Sequence, residues 1–283
     1  HAPNLKRKVV TSATRISELP RYVKLRNTLT LDFLDRKPEL DSRMTVKTVR
    51  CEKSDKKRAL RQLLLTTGQG KTIVFVNERE AVRPLCEWLR KHGISAGGYH
   101  GQQEQIEREK VVAMIDNGSL AVLVATDLAA RGLDLSAVEN IVHYDLPLTE
   151  EIYTHRNGRT ARVDRSGRIF ALVSDEDVVP EFVTGAEFAL SDEDVGEPTV
   201  TDVATLYVNE GRKEKISRGD IVGWIANSGA GVDAEDIGKI VVNDHYSLVA
   251  VSRGKADALL EVLNVQKIKG RRVRVSHAEA PSG

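Results

Sequence analysis

Apolar and polar residues alternate between strand-like and helix-like segments from Lys71 to Asp177. Short apolar runs predict strands within the segments 71–77, 95–101, 120–126, 138–145 and 167–174. Apolar residues at helical spacing predict helices over 78–93, 103–118 and 150–162. Apolar strands that are separated by helices pair in parallel, with helices on both faces of the sheet. The pattern therefore predicts a doubly wound α/β domain over residues 45–177.

A different pattern begins after residue 202. Strands are predicted over 204–211, 237–243, 246–252 and 271–278, and helices over 218–229 and 255–265. This βαββαβ order is the plan of ferredoxin-like and RNA-recognition folds. We therefore expect a small α+β domain over residues 203–277, with Trp224 in its core.

Charge and composition narrow the picture. The 283 residues carry a formal net charge of only +1, so any affinity for nucleic acid must come from local patches. The stretch from Ser174 to Asp202 is acidic and has no Lys or Arg, which predicts a solvated linker over 178–202. Cys51 and Cys86 lack metal-ligand or redox spacing, and no apolar run reaches membrane-spanning length. We therefore expect a cytoplasmic protein with no metal site and no membrane partner.

Two polar segments belong to one edge of the predicted sheet. The segment "ATDLAARGLD" (125–134) follows one strand, and "HRNGRTAR" (155–162) lies on the helix after the next strand. Ligands of open parallel sheets bind at the carboxyl ends of the strands. Asp127 and Asp134 offer acceptors to hydroxyls or arginines there, although either could merely cap a helix. The arginines at every third position of 156–162 form either a phosphate clamp or a solvated basic helix end.

The segment "TTGQGKTIVF" (66–75) resembles a phosphate-binding Walker A loop only at its GKT tripeptide. Leu65 stands where the first glycine of that loop belongs, and a strand follows where a helix should begin. We therefore reject a P-loop at this position.

Five ordered segments of residues 9–177 resemble the motifs of DEAD-box RNA helicases. They are "SAT" (12–14), "IVFVNE" (73–78), "HG" with "QIER" (100–108), "ATDLAARGLD" and "HRNGRTAR". The family has two RecA-like domains that close over ATP and RNA. The resemblance implies that residues 45–177 form the second, C-terminal RecA-like domain. It makes residues 1–14 the tail end of the first, with 15–44 as the linker between them, so we expect the chain to be part of a longer protein.

The resemblance also implies roles for individual residues. It makes Arg159 and Arg162 arginine fingers for the γ-phosphate of ATP, where a guanidinium stabilises charge in the transition state. It makes "HRNGRTAR" motif VI of the family, Asp134 the ribose contact, and His155 the residue that links motif VI to the other motifs. It assigns a role in contacting the RNA backbone, or in organising the surface that binds it, to Gly101, Gln105, Arg108, Thr126 and Asp127. Ser12 and Thr14 resemble the motif that couples hydrolysis to strand separation.

Departures from the family pattern are also visible. Asn157 stands where the family usually has a β-branched apolar residue, and Ala161 stands where it usually has Gly. The sequence contains neither a Walker A loop nor the Asp-Glu-Ala-Asp tetrapeptide. The resemblance therefore implies that ATP and Mg²⁺ are held mainly by a missing N-terminal RecA-like domain, and that this chain alone does not hydrolyse ATP.

Residues 203–277 resemble the DbpA-type RNA-binding domain of bacterial DEAD-box helicases. The segments that carry the resemblance are "ATLYVNEGRKEKISRGDIVGWIAN", "DIGKIVV" and "KIKGRRVRV". The family acts on ribosomal or other structured RNA, which implies such an RNA as partner and a role in ribosome biogenesis. Tyr207 is placed to stack on a base, whereas Tyr246 either stacks or packs on the strand face. A basic run near the last strand predicts contacts to the RNA backbone by Lys267, Lys269, Arg271, Arg272 and Arg274.

Together these observations predict a RecA-like doubly wound parallel sheet followed by a small RRM-like α+β domain. The expected function is that of the C-terminal part of an ATP-dependent RNA helicase that unwinds short duplexes. Two alternatives stay open, a non-catalytic RNA chaperone with the helicase shape and a DNA-directed helicase of the same superfamily. His155 and the RRM-like domain both argue against the second alternative.

Overall fold

A seven-stranded parallel sheet forms the first domain. The computed structural model describes residues 29, 44–68, 70–130, 135, 138–160, 166–190 and 201–282. The strands are β1 (Met44–Cys51), β2 (Thr72–Val76), β3 (Ala96–Tyr99), β4 (Val122–Thr126), β5 (Asn140–His143), β6 (Gly167–Ser174) and β7 (Ala186–Glu187). Their order across the sheet is β3-β4-β2-β5-β6-β1-β7, and each neighbouring pair runs parallel.

Helices cover both faces of this sheet. They are α1 (Lys56–Thr67), α2 (Arg79–Lys91), α3 (Gln105–Asp116), α4 (Asp127–Ala130) and α5 (Glu150–Asn157), with a short 3-10 turn at Lys53–Asp55. Along β2, Ile73 and Phe75 enter one core cluster, whereas Val74 and Val76 enter the other. Successive side chains of a strand point to opposite faces, so a strand covered on both faces needs an apolar residue at every position. This confirms the predicted doubly wound, RecA-like fold.

Part of the acidic stretch packs against the first domain. Strand β7 pairs with β1, and the Phe188 ring lies 5.8 Å from the Phe170 ring in an edge contact. Val183 is buried with Tyr153 in a small cluster nearby. Residues 178–190 are therefore partly packed, whereas their composition predicted a solvated linker. The domain boundaries themselves stay predictions.

The second domain has the predicted βαββαβ order. Its elements are β8 (Val203–Val208), α6 (Arg218–Ala226), a 3-10 turn (Ala234–Asp236), β9 (Ile237–Val242), β10 (Ser247–Ser252), α7 (Arg253–Leu263), β11 (Lys267–Ile268), β12 (Arg271–Arg272) and β13 (Val275–His277). Strands β13-β8-β10-β9 form an antiparallel sheet, and β11 and β12 form a separate hairpin. Trp224 belongs to the core of this domain, as predicted.

The basic run differs in one respect from its predicted position. Arg271 and Arg272 lie in the β11–β12 hairpin, which precedes the last strand instead of forming it. Gly270 reverses the chain between the two short strands with a φ of 79°. The predicted alternation still holds, because Val273 and Val275 are buried while Arg272 and Arg274 are exposed. Across the part of the chain that the structure describes, no helix is long and apolar enough to cross a membrane.

Candidate functional site

Polar side chains converge where β2, β4 and β5 end. Asn77 follows β2, Asp127 follows β4, and Asp145 lies two residues beyond β5. The Asn77 backbone N–H donates to the Asp145 carboxylate at 2.9 Å, and the Asn77 amide donates to the Leu146 carbonyl at 3.1 Å. These bonds tie the ends of two neighbouring strands together. The carboxyl edge of the sheet is therefore the polar edge that the sequence predicted.

Helix α5 delivers motif VI to this edge. Its first turn is capped by Thr149, whose hydroxyl accepts a hydrogen bond from the Ile152 N–H at 3.2 Å. Glu150 and Glu151 place negative charge at the positive end of the helix dipole. The helix ends at Asn157, and Gly158 and Arg159 continue in a turn. This short helix holds the first basic residues of the motif in a fixed orientation.

Arg156 is the centre of the site. Its side chain is only 1% exposed, and its guanidinium donates to both carboxylate oxygens of Asp127 at 2.6 and 2.8 Å. It also donates to the Asn77 side-chain oxygen at 2.7 Å and to the Asp145 carbonyl at 2.7 Å. The Phe75 ring lies 5.1 Å from the guanidinium carbon. One arginine therefore joins β2, β4, β5 and α5.

The spacing of the arginines at 156–162 predicts no role for Arg156 that differs from those of Arg159 and Arg162. The contacts of Arg156 join the ends of three strands to α5. They also confirm the prediction that Asp127 accepts a hydrogen bond from an arginine. Spacing alone could not single Arg156 out, because residues three apart drift only slowly around a helix. The predicted helix over 150–162 contains all three arginines, whereas α5 ends at Asn157 and so includes only Arg156, which the sequence did not signal.

Asn157, one of the departures from the family pattern, has a buried polar partner. Its side-chain oxygen lies 2.9 Å from His143 Nε2, and the exposed fractions of Asn157 and His143 are 2% and 0%. Burial, followed by the positive charge of Arg156, lowers the pKa of His143 to about 3. The histidine is therefore neutral at neutral pH, with Nε2–H donating to Asn157 and Nδ1 facing the Arg156 guanidinium at 3.5 Å.

The remaining residues assigned to ATP lie close to this network or outside the described residues. Arg159 is half-buried, and its backbone N–H donates to the Arg156 carbonyl at 3.2 Å. His155 lies 3.5 Å from Glu151 one helical turn earlier. Ser12, Thr14, Asp134, Ala161 and Arg162 lie outside the described residues.

The residues assigned to RNA in the first domain lie along β3, α3 and the end of β4. Gly101 and Gln105 are exposed, while Thr126 is buried at the end of β4. Arg108 donates to the Tyr99 hydroxyl at 2.9 Å and lies 5.1 Å from that ring. The Arg108 Nε atom is buried and has no hydrogen-bond partner among the described residues. Because this atom is enclosed by protein, a ligand acceptor reaches it only if the Arg108 side chain moves.

The residues assigned to RNA in the second domain divide into two groups. Lys269 forms a 2.8 Å ion pair with Asp220, whose pKa that contact lowers to about 2. Arg271 lies 3.8 Å from Glu210. No described acidic side chain lies within ion-pair distance of Lys267, Arg272 or Arg274, and all three are exposed. Tyr207 is half-buried, and Tyr246 is 6% exposed, so Tyr246 packs on the strand face.

No group of three or more His, Cys, Asp or Glu side chains could hold a metal ion among the residues that the structure describes. Cys51 and Cys86 are both free thiols. Burial raises the pKa of Cys86 to about 12, which keeps this thiol protonated and unreactive.

The chain matches two protein-family models and several curated relatives. Residues 55–164 match the helicase conserved C-terminal domain, and residues 205–277 match the DbpA RNA-binding domain. The ATP-dependent RNA helicase DbpA of Bacillus subtilis is 32% identical over 81% of this chain and 54% of its own length. DbpA of Escherichia coli is 33% identical over 76% of this chain and 49% of its own length.

A solved structure also matches. It is the E. coli DEAD-box protein SrmB bound to regulator of ribonuclease activity A, at 33% identity over 55% of this chain and 95% of that chain, with a TM-score of 0.49. The chain belongs to the DEAD-box RNA helicases. Within that family it is similar to the DbpA helicases, and it spans about half the length of the two curated relatives.

We call Arg156 together with its acceptors Asp127, Asn77 and the Asp145 carbonyl the Arg156 clamp. Removal of the arginine tests how much this clamp stabilises the fold. Arg156→Met is expected to lower the free energy of unfolding by about 3–5 kcal/mol, because Asp127 loses its partner and two further acceptors lose their donor. Urea unfolding of the intact chain measures the change. Arg83→Met is the matched control, since Arg83 is exposed and has Glu87 as its one ion-pair partner among the described residues, and it should change stability by about 0.5 kcal/mol or less. Equal effects of the two substitutions would contradict the clamp.

The buried histidine predicts a pH dependence. The pKa of His143 falls from 6.5 in the unfolded chain to about 3 in the folded one, so the unfolded state binds the extra proton between these values. Stability is therefore retained above pH 6.5 and is lost as the pH falls towards 3, by about 1.4 kcal/mol per pH unit. His143→Asn should remove this component from unfolding curves measured between pH 7.5 and 4.5.

Tyr153→Phe is the control for that measurement, because its ring lies 5.2 Å from the His143 ring and the histidine is kept. It should retain the wild-type slope. A wild-type slope in His143→Asn as well would show that another group causes the pH dependence.

Proposed function

We propose that this chain supplies the second wall of the ATP cleft and the RNA-targeting domain of an ATP-dependent DEAD-box RNA helicase. The observation that carries this proposal is the Arg156 clamp. It fixes the end of α5 to Asp127 and Asn77, so the turn that follows begins at the carboxyl edge of the sheet. Arg159 lies in that turn. A motif anchored in this way can present guanidinium groups without the entropy cost of ordering them at each turnover.

Arginine side chains of motif VI fit the phosphates of ATP. Arg159 and Arg162 carry permanently charged forks whose geometry matches phosphate oxygens. We assign them to the γ-phosphate, Asp134 to the ribose, and His155 to the link with the other motifs. When bound, ATP with Mg²⁺ supplies the phosphoryl chemistry, and a first RecA-like domain holds most of both. Ser12 and Thr14 would couple hydrolysis to the separation of RNA strands.

This division of labour predicts that the chain alone does not turn over ATP, because its sequence contains neither a Walker A loop nor an Asp-Glu-Ala-Asp motif. Steady-state phosphate release in the presence of single-stranded RNA should equal the buffer blank. A complete DEAD-box helicase assayed in parallel shows that the conditions support activity. RNA-stimulated turnover by the chain alone would refute the assignment.

The second domain would bind structured RNA, with ribosomal RNA as the favoured target and local unwinding of short duplexes in ribosome biogenesis as the role. Lys267, Arg272 and Arg274 are exposed on and beside the β11–β12 hairpin and meet no described acidic partner. Such cations are available to phosphates, whereas Lys269 would first have to leave Asp220. Free Cys51 and Cys86 suit a reducing compartment, and we propose that the protein acts in the cytoplasm.

Neutralising Arg272 and Arg274, two exposed cations on and beside the β11–β12 hairpin, tests this assignment. Arg272→Gln/Arg274→Gln should weaken binding of a ribosomal RNA hairpin on the order of tenfold near 0.1 M salt. It should also reduce the slope of log affinity against log salt by about 1.5, since two phosphate contacts are lost. Fluorescence anisotropy over a salt series measures both quantities, with single-stranded RNA and duplex DNA as competing ligands.

Lys57→Gln/Arg58→Gln is the matched control, because it removes the same charge from exposed positions on α1. It should leave the hairpin affinity and the salt slope near wild type. If both double variants bind equally well, the β11–β12 hairpin is not the RNA contact. Tighter binding of duplex DNA than of RNA would instead favour a DNA-directed helicase.

A further inference from the structure

Helix α3 buries two of its faces. Val111, Met114 and Ile115 point into the core of the first domain. Ile106 and Ala113 belong to a different apolar cluster, whose other members come mainly from the second domain. Positions 106, 109, 110 and 113 follow the i, i+3, i+4, i+7 spacing, so they line one side of the helix. An outward side with apolar residues requires a partner surface.

The partner is the sheet of the second domain. Leu248 lies opposite Tyr207 in the β10–β8 pairing, and Tyr246 is two residues before Leu248, so the three side chains share one face. The neighbouring positions Leu206 and Val249 point to the other face, into the core of the domain. This domain therefore covers only one face of its own sheet, and α3 covers the other.

The contacts across this boundary are specific. The Tyr207 and Tyr246 rings stack at a centroid distance of 5.5 Å, and the Lys110 ammonium lies 4.6 Å from the Tyr207 ring centre. The Tyr246 hydroxyl donates to the Glu109 carboxylate at 2.6 Å. Burial and that carboxylate raise the pKa of Tyr246, so its hydroxyl remains a donor. Tyr246 and Leu248 are only 6% and 1% exposed.

Polar groups surround the apolar centre. The Asn117 amide donates to the Thr205 hydroxyl at 2.9 Å, and the Ser119 hydroxyl lies 2.7 Å from the same oxygen. Lys239 forms an ion pair with Asp116 at the end of α3. An apolar centre with a hydrogen-bonded rim is the usual arrangement of a specific protein interface.

The segment that follows β13 extends the contact to the edge of the first sheet. The Gly98 N–H donates to the Pro281 carbonyl at 2.8 Å, and Arg90 donates to the Ala280 carbonyl at 2.8 Å. A Cβ atom at Gly98 would lie 2.3 Å from the Ser282 carbonyl oxygen. Only glycine allows this close approach of the two backbones. Residues 280–282 therefore cover the edge strand β3, which would otherwise offer unpaired backbone groups.

We propose that α3 and the sheet face bearing Tyr207 and Tyr246 form an intramolecular docking interface, and that this docking and base stacking on the tyrosines exclude each other. The second half of the proposal rests on the RNA-binding function proposed above. A base can stack on Tyr207 only after displacing the Lys110 side chain, and on Tyr246 only after α3 has moved away. The basic β11–β12 hairpin lies outside this interface and needs no such opening.

Tyrosine accessibility tests the docking without RNA. Nitration of the intact chain by tetranitromethane, located by mass spectrometry, should be at least tenfold slower at Tyr246 in wild type than in Ala113→Arg, which places a long charged side chain inside the interface. Tyr153, buried in the first domain, should stay protected in both proteins and so reports on unfolding. Val178→Arg adds the same charge at a position that is 91% exposed and should behave as wild type.

Glu109→Ala provides a milder variant, because it removes only the acceptor of the Tyr246 hydroxyl. It should raise the nitration of Tyr246 by less than Ala113→Arg does, and it decides the outcome if the arginine variant also exposes Tyr153. Equal nitration of Tyr246 in wild type and in the variants that keep Tyr153 protected would overturn the docking.

Photo-crosslinking to single-stranded RNA that contains 4-thiouridine tests the exclusion. Crosslinks to Tyr207 should be several-fold more frequent in Ala113→Arg, or in Glu109→Ala if that variant is the folded one, than in wild type or Val178→Arg. Equal crosslinking at Tyr207 in all variants, or none in any of them, would overturn the exclusion. Loss of RNA binding at the basic hairpin would instead count against the proposed function, and the nitration result would still decide the docking.

Discussion

The buried charge of Arg156 is the constraint on which the carboxyl edge of the sheet depends. A guanidinium cannot lose its proton in a protein, so burying it requires acceptors around it. Asp127, Asn77 and the Asp145 carbonyl provide them from the ends of three strands. The strand ends must converge for these bonds to form. The chemistry of the edge is therefore organised by an arginine that is itself closed to ligands.

The neighbouring pair of His143 and Asn157 follows from the same constraint. A buried imidazole beside a fixed positive charge is forced into its neutral form, and its N–H then needs an acceptor. Asn157 supplies that acceptor. The polar side chain of Asn157, which departs from the family pattern, therefore has a hydrogen-bond partner in His143 on β5. The contacts of the Arg156 clamp are formed beside this pair.

Much of the fold could be predicted from the sequence, because strands such as β2 and β4 carry apolar residues on both faces and the helices show apolar residues at helical spacing. The partners of side chains could not be predicted in the same way. Three-residue spacing did not show that Arg156 is buried while Arg159 continues into a turn. The acidic composition of 178–190 concealed Phe188, which packs against Phe170 where β7 pairs with the distant strand β1. The sequence also suggested a role in RNA binding for Tyr207, but it could not show that the face bearing it meets α3.

Helix α3 connects the two domains in a way that bears on RNA. Gln105 and Arg108, two of the predicted RNA contacts of the first domain, lie on the same helix as Glu109 and Lys110, which contact the tyrosine face of the second. Helix α3 therefore carries residues of the predicted RNA site on one stretch and the docking contacts on the next. The β11–β12 hairpin lies outside the docking interface, so its proposed contacts with RNA do not depend on whether the tyrosine face is covered.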